Sequence, residues 1–149
     1  MKFITINKDG KPEKEIENLH PIAEDVLSST VELYKSAKYQ LPWVGYLVLD
    51  DLGECIGTCA FKSPPINNTV EIAYFTFPEY EGRGLSERMA NRLVHIALQS
   101  KPDIKVIAHT LPEENASTSI LKKAGFIFDN EVIHPEDGLV WEWKFAGGK

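Results

Sequence analysis

Residues 69–98 read TVEIAYFTFPEYEGRGLSERMANRLVHIAL. The opening TVEIAYFTF (69–77) is rich in β-branched and aromatic residues, the composition of a strand. After PEYEGRG the period changes. Leu85, Met89, Leu93 and Ile96 recur at helical spacing, with Ala90 and Ala97 beside them, which predicts a helix over roughly 84–98. Arg88, Asn91 and His95 fall on the opposite face and Arg92 flanks the stripe, so His95 reads as a solvated histidine. IKVIAHT (104–110) is a short buried strand. Together these predict a β-α-β unit with parallel strands and a right-handed crossover.

Working outward, KFITI (2–6) is a first strand and NKDGKPEKEIEN a polar loop. Asn18 and Pro21 mark a helix start. Ile22, Val26, Leu27, Leu33 and Tyr34 carry that helix over roughly 20–37. VGYLVLD and ECIGTCAFK flank DLG as a hairpin, and SPPINN turns the chain into TVEIAYFTF, giving an antiparallel meander. Beyond residue 110, ASTSILKKAG (116–125) is a helix stopped at Gly125. FIFDNEVI, the turn HPEDG and LVWEWKF complete the chain. Phe126 and the alternating Leu139, Trp141, Trp143 and Phe145 read as core. The order is β-α-β-β-β-α-β-α-β-β. It predicts an α/β (mixed α+β) fold with a central mixed sheet of about seven strands and helices on both faces.

The 149 residues suit one domain, 1–149, with 43% hydrophobic and 26% charged residues. A net charge of −6 without a basic stripe argues against nucleic acid as a partner. No run is long enough to span a bilayer and no leader opens the chain, so the expectation is a cytoplasmic protein without a membrane partner. Cys55 and Cys59 match neither a redox nor a zinc pattern, and no metal is expected. Four apart on one strand, they should share a face as buried thiols.

The glycine stretch EGRGLS has two readings. Glycine commonly punctuates a strand-to-helix turn. Equally, the first N–H groups of a helix lack internal partners and carry the positive end of its dipole, so such a start binds anions. Gly82 and Gly84 would let an anion approach, Arg83 adds charge, and Ser86 adds a hydroxyl. Neither a P-loop nor a GxGxxG fingerprint is present.

TVEIAYFTFPEYEGRGLS, followed by AHTLPEENASTSILKKAGF, resembles the GNAT superfamily of N-acetyltransferases. The resemblance covers roughly 20–145 and is most specific across 69–126. It implies a GNAT-like acyl-CoA N-acyltransferase fold and acetyl-CoA as cosubstrate. It implies acetyl transfer to a primary amine of a small molecule, protein or peptide. A catalytically silent acyl-CoA-binding or sensor domain is the alternative. The family's Q/R-x-x-G-x-G/A pattern binds the pyrophosphate of acetyl-CoA. Here it corresponds to Glu81-Gly82-Arg83-Gly84-Leu85-Ser86. Glu81 replaces Gln or Arg and should point to solvent; Ser86 replaces Gly or Ala. Asn115, with Ser117, Lys123, Gly125 and Phe126, resembles the second cofactor wall, Asn115 bonding the pantetheine arm. Asn115 also suits a helix cap. Many members place a tyrosine acid where Leu121 stands. The sequence is more similar to the ribosomal-protein N-acetyltransferase branch, which often lacks it and shares the AHTLPE lead-in.

Acetyl transfer needs a neutral amine, a positioned carbonyl, donors for the developing oxyanion and a proton for the thiolate. The resemblance implies that the strand at 69–77 parts from that at 104–110. Its backbone would then meet the pantetheine arm, with an N–H near Phe75, Thr76 or Phe77 facing the thioester oxygen. Glu71 is the candidate general base, a carboxylate inside the apolar VEIAYF, where it needs a cleft or an ion-pair partner. Glu79 and Tyr80 compete with it from the loop. Tyr74, Tyr80 and Ser117 are candidate acids. His109 ends its strand where parallel strands gather ligands, or packs there without function. His20 and His134 receive no role. The acceptor pocket is expected between the first helix and the hairpins, rimmed by residues 38–43 and 63–68. Tyr39, Trp43 and Tyr46 are candidate walls or core. The acidity favours a cationic amine weakly, and a homodimer is admitted.

Overall fold

The computed structural model describes residues 1–17 and 19–147. Asn18, read as part of the first helix start, lies outside them. The expected order is observed: β1 (Lys2–Thr5), α1 (Pro21–Ser36), β2 (Gly45–Leu49), β3 (Cys55–Phe61), β4 (Thr69–Thr76), α2 (Leu85–Ser100), β5 (Lys105–Thr110), α3 (Ala116–Lys123), β6 (Phe126–His134) and β7 (Gly138–Phe145). A single 3-10 turn, Pro78–Tyr80, joins β4 towards α2. The seven strands form one sheet in the order β1-β2-β3-β4-β5-β7-β6. Its pairs are antiparallel except β4–β5.

Local chemistry sets the helix ends. Pro21 occupies the first turn of α1, where its missing N–H would have no partner anyway. His20 caps this helix, its Nδ1 accepting from the Ile22 N–H at 3.1 Å. The His20 Nε2 meets Glu79 Oε2 at 2.7 Å and its ring stacks on Phe77 at 4.2 Å between centroids. His20 therefore fastens α1 to the turn after β4, a role the sequence did not reveal. Tyr34 Oη donates to Ile6 O and accepts from the Gly45 N–H, tying α1 to β1 and β2.

Helices cover both faces. On one, Met89, Ala90, Leu93 and Ala97 of α2 and Leu121 of α3 pack against Val48, Ile56, Phe61, Val70, Ile72 and Trp143. On the other, Ala23 of α1 meets Ile4, Ile6, Leu47, Leu49 and Phe77. Each large aliphatic side chain so buried contributes about 1.5–3 kcal/mol. Leu93→Ala, at a site with 0% exposure, should cost about 2–5 kcal/mol.

Two expectations are corrected. Cys55 and Cys59 do not share a face. Val48 opposes Gly57 while Leu49 opposes Cys55, so Ile56 is an extra residue in β3. This bulge reverses the side-chain parity. Cys59 packs in the cluster under α2 and Cys55 in that under α1. The stripe 139–145 is not core throughout: Trp143 is buried, but Leu139 is 44% exposed. The hairpin of β6 and β7 continues past β5, whose last pairing is Thr110 with Trp141.

Candidate active site

The site is built on an incomplete strand pairing. β4 and β5 pair only through Thr69–Lys105, Val70–Val106 and Glu71–Ile107. β4 then continues to Thr76 beside β3, and β5 continues to Thr110 beside β7. Beyond Glu71 the two strands therefore part, as the resemblance implied. Strand alternation determines which backbone groups line the gap. Lys62 N–H donates to Glu71 O and Phe77 N–H to Ile56 O, so the odd-numbered residues of this stretch bond to β3. Tyr74 and Thr76 consequently turn their N–H and C=O into the gap. This corrects the expectation for Phe75 and Phe77, whose backbone faces β3. Phe77 is also fully buried, while the Phe75 ring is 44% exposed.

The glycine loop lies beyond β4. Gly82 has φ +83° and Gly84 φ +72°, a region natural to glycine, and a Cβ on either would meet nothing within 4 Å. Gly84 is the N-cap of α2 and offers no side chain to its first N–H groups. The first N–H groups of the 16-residue α2 thus have no side-chain cap. Leu85 opens the helix. Ser86 is engaged, its Oγ lying 2.7 Å from Thr76 Oγ1, which fastens the first turn of α2 to the end of β4. Arg83 is exposed, its guanidinium 5.5 Å from the Tyr80 ring centroid. Glu81 is exposed, as expected. The surroundings fit an anionic group at this loop: open space, unpaired N–H donors and one arginine.

Across the gap, Asn115 caps α3 in a reciprocal box. Its Oδ1 accepts from Thr118 N–H at 3.1 Å, and Thr118 Oγ1 accepts from Asn115 N–H at 2.9 Å. Ser117 and Lys123 are exposed on α3. Leu121 is fully buried, so its position does not face the gap. Tyr80 is not brought to Glu71. Its phenol is pushed up first by desolvation, then by the carboxylates of Glu54 and Asp50. Burial drives the Tyr74 phenol far above its ordinary range. Trp43 and Tyr46 are core: Trp43 packs edge-on against Phe61, and Tyr46 Oη donates to Pro42 O.

Glu71 stands at the base of the fork, about 13 Å of strand from Phe75 at ~3.3 Å per residue. Its Oε2 is 3.3 Å from His109 Nδ1, and His109 Nε2 is 3.0 Å from Glu142 Oε1. The three side chains are 16–21% exposed. Glu142 escaped the sequence reading. Like Glu71, it is a carboxylate inside a largely apolar strand, LVWEWKF.

A family model described as an acetyltransferase (GNAT) domain matches residues 9–127. The chain belongs to the GNAT acetyltransferase family. GNAT structures share its fold at low identity. A chimera of the Vibrio cholerae spermidine N-acetyltransferase and hSSAT superposes with TM-score 0.64 at 16% identity, over 89% of this chain and 83% of that one. A mutant of the Vibrio cholerae enzyme gives 0.63 at 15%, over 95% and 81%. An aminoglycoside acetyltransferase complexed with coenzyme A and kanamycin gives 0.59 at 20%, over 68% and 64%. No curated protein matches the sequence. Family membership makes the chain an acyltransferase and identifies its chemistry as acetyl transfer from acetyl-CoA to an amine. Among the described residues no helix is long and apolar enough to cross a membrane, and no cluster of His, Cys, Asp and Glu could hold a metal.

Proposed function

We propose that this GNAT protein acetylates a primary amine held between α1 and the meander, with acetyl-CoA lying in the β4–β5 fork. The observation that carries the reading is the fork itself, whose free backbone at Tyr74 and Thr76 leads to the uncapped start of α2 at Gly84. In this arrangement Gly82, Arg83, Gly84, Leu85 and Ser86 form the pyrophosphate cradle. Asn115 and Lys123 contribute from α3, and Ser117 is the proton donor on that wall. The Thr76 backbone pairs with the pantetheine arm, and the Tyr74 N–H, nearer Glu71, is the donor for the thioester oxygen. Glu71 is the general base, reaching the amine through water. Tyr80 is assigned the orientation of Arg83 in place of a catalytic role.

A cleft of about 130 Å³ opens on the α1 face of β4. Val26, Ala60, Ala73 and Phe75 line it, with hydroxyl-bearing Thr30, Thr58 and Tyr74. Among the described residues no carboxylate lines it, so it suits the carbon skeleton of the acceptor better than a second positive charge. The AHTLPE resemblance adds a protein N-terminus to the acceptors worth testing. Cytoplasmic location fits a supply of acetyl-CoA.

The silent-binder reading keeps one favouring observation, the buried Leu121 at the family's tyrosine position. One experiment separates the two. Acetyl-CoA is titrated by calorimetry, and thiol release is followed with a panel of monoamines, polyamines, aminoglycosides and peptides. Turnover with at least one amine is expected. Binding without turnover on the whole panel supports the silent binder, and no binding at millimolar acetyl-CoA sinks both.

A further inference from the structure

His109 of β5 is held between two carboxylates, each on a different neighbouring strand. Nε2 faces Glu142 of β7 at 3.0 Å and Nδ1 faces Glu71 of β4 at 3.3 Å. Nδ1 is buried and makes no hydrogen bond of acceptable geometry. A neutral imidazole carries one N–H. If Nε2–H donates to Glu142, the Nδ1 lone pair is turned towards a carboxylate oxygen. An unmade bond of that kind at a buried atom is costly. A proton entering between Nδ1 and Glu71 makes their 3.3 Å approach an ion pair, and a small turn of either side chain completes the hydrogen bond. The cluster can thus take a single proton where the strands separate.

We propose that His109 is the proton carrier behind Glu71 in acetyl transfer, with Glu142 fixing its tautomer. This rests on the acetyl-transfer reading above. The proton count of the reaction gives it a task. An ammonium acceptor and a thioester yield an amide, a thiol and one free proton. The C–N bond forms and the C–S bond breaks. Of the two protons the nitrogen loses, one goes to sulfur and one must leave. Glu71 takes that proton from the acceptor and His109 Nδ1 receives it, making an imidazolium between two carboxylates. Return of the proton to solvent resets Glu71. His134 packs edge-on against His109 with 5.9 Å between centroids, and its own Nδ1 lies 3.6 Å from Asp137 Oδ2. The remaining charges along this face, Lys105, Asp129 and Lys144, bond among themselves.

His109 is a positioning residue, so its test needs a readout that an ordinary strand tie would not move. The full chain is prepared as wild type, His109→Gln, His109→Asn, Glu142→Gln and Glu71→Gln, each checked by circular dichroism. Thiol release from acetyl-CoA is measured between pH 5.5 and 9.5 with the best amine of the panel. His109→Gln should lower kcat on the order of 100-fold, the scale of general acid–base catalysis, with an unchanged KM for acetyl-CoA. The shape of its kcat–pH profile should differ from that of the wild type, which loss of an ordinary strand tie would not produce. Glu142→Gln should lower kcat about 10-fold, as loss of an orienting partner does. By ¹⁵N NMR, the single Nε2–H tautomer expected of the wild type should become a mixture in this variant. Wild-type kcat and pH profile in a folded His109→Gln overturn the proposal. If both His109 variants unfold, an unaltered kcat profile and tautomer in Glu142→Gln overturn it instead. A wild type that acetylates no amine defeats the acetyl-transfer reading, and the carrier role falls with it. That outcome appears in the wild-type arm alone, so the two failures are distinguishable.

Discussion

Gly84 allows the backbone and ligand roles of one residue to be separated. With φ at +72°, any L side chain there is strained, although a Cβ would meet nothing within 4 Å. Gly84→Ala should therefore lose only the left-handed penalty, about 1–2 kcal/mol. For a chain of this size that lowers Tm by roughly 2–8 °C. Gly84→Glu carries the same strain but adds a carboxylate at the start of α2, where the dipole returns about 0.3–1 kcal/mol. It should melt slightly above Gly84→Ala. Its effect on acetyl-CoA is opposite. A carboxylate about 5 Å from a phosphate charge, at an effective dielectric near 20, repels it by roughly 3 kcal/mol, which is on the order of a 200-fold loss of affinity. Thermal melts followed by calorimetry read both quantities. If Gly84→Glu binds acetyl-CoA as tightly as the wild type, the pyrophosphate lies elsewhere and the fork loses its anchor.

Gly57→Ala should be more damaging than either, because its Cβ would come within 2.4 Å of Phe75 O and 2.6 Å of Met89 Cε. A loss of about 1–3 kcal/mol in urea denaturation is expected. Burial lifts the Tyr46 and Tyr74 phenols far above the ordinary 10.0. Their contribution to stability is full below that pH and is lost as pH rises through the elevated values. Absorbance at 295 nm should show these two among the five tyrosines ionising only with unfolding.

The order of elements was legible because the apolar period changes cleanly, from alternation in VEIAYF to the stripe Leu85–Met89–Leu93. The glycine loop was legible as a choice between a turn and an anion cradle, and the resemblance decided the expectation. What escaped depended on registers between distant strands. The bulge at Ile56 changes the face of Cys55 without altering the strand composition. The backbone of Phe75 and Phe77 was misassigned because strand parity follows from the partner β3. Glu142 meets His109 only because β7 inserts between β5 and β6, an order that local patterning does not specify.

The bulge in β3 has a practical consequence for following turnover. Cys55 and Cys59 are 7% and 4% exposed, burial raises both thiols, and the sheet stands between them. They can neither oxidise together within the chain nor compete readily for a thiol reagent. Coenzyme A released in solution can therefore be counted against a nearly silent protein background. The same reagent reports unfolding as two delayed equivalents per chain.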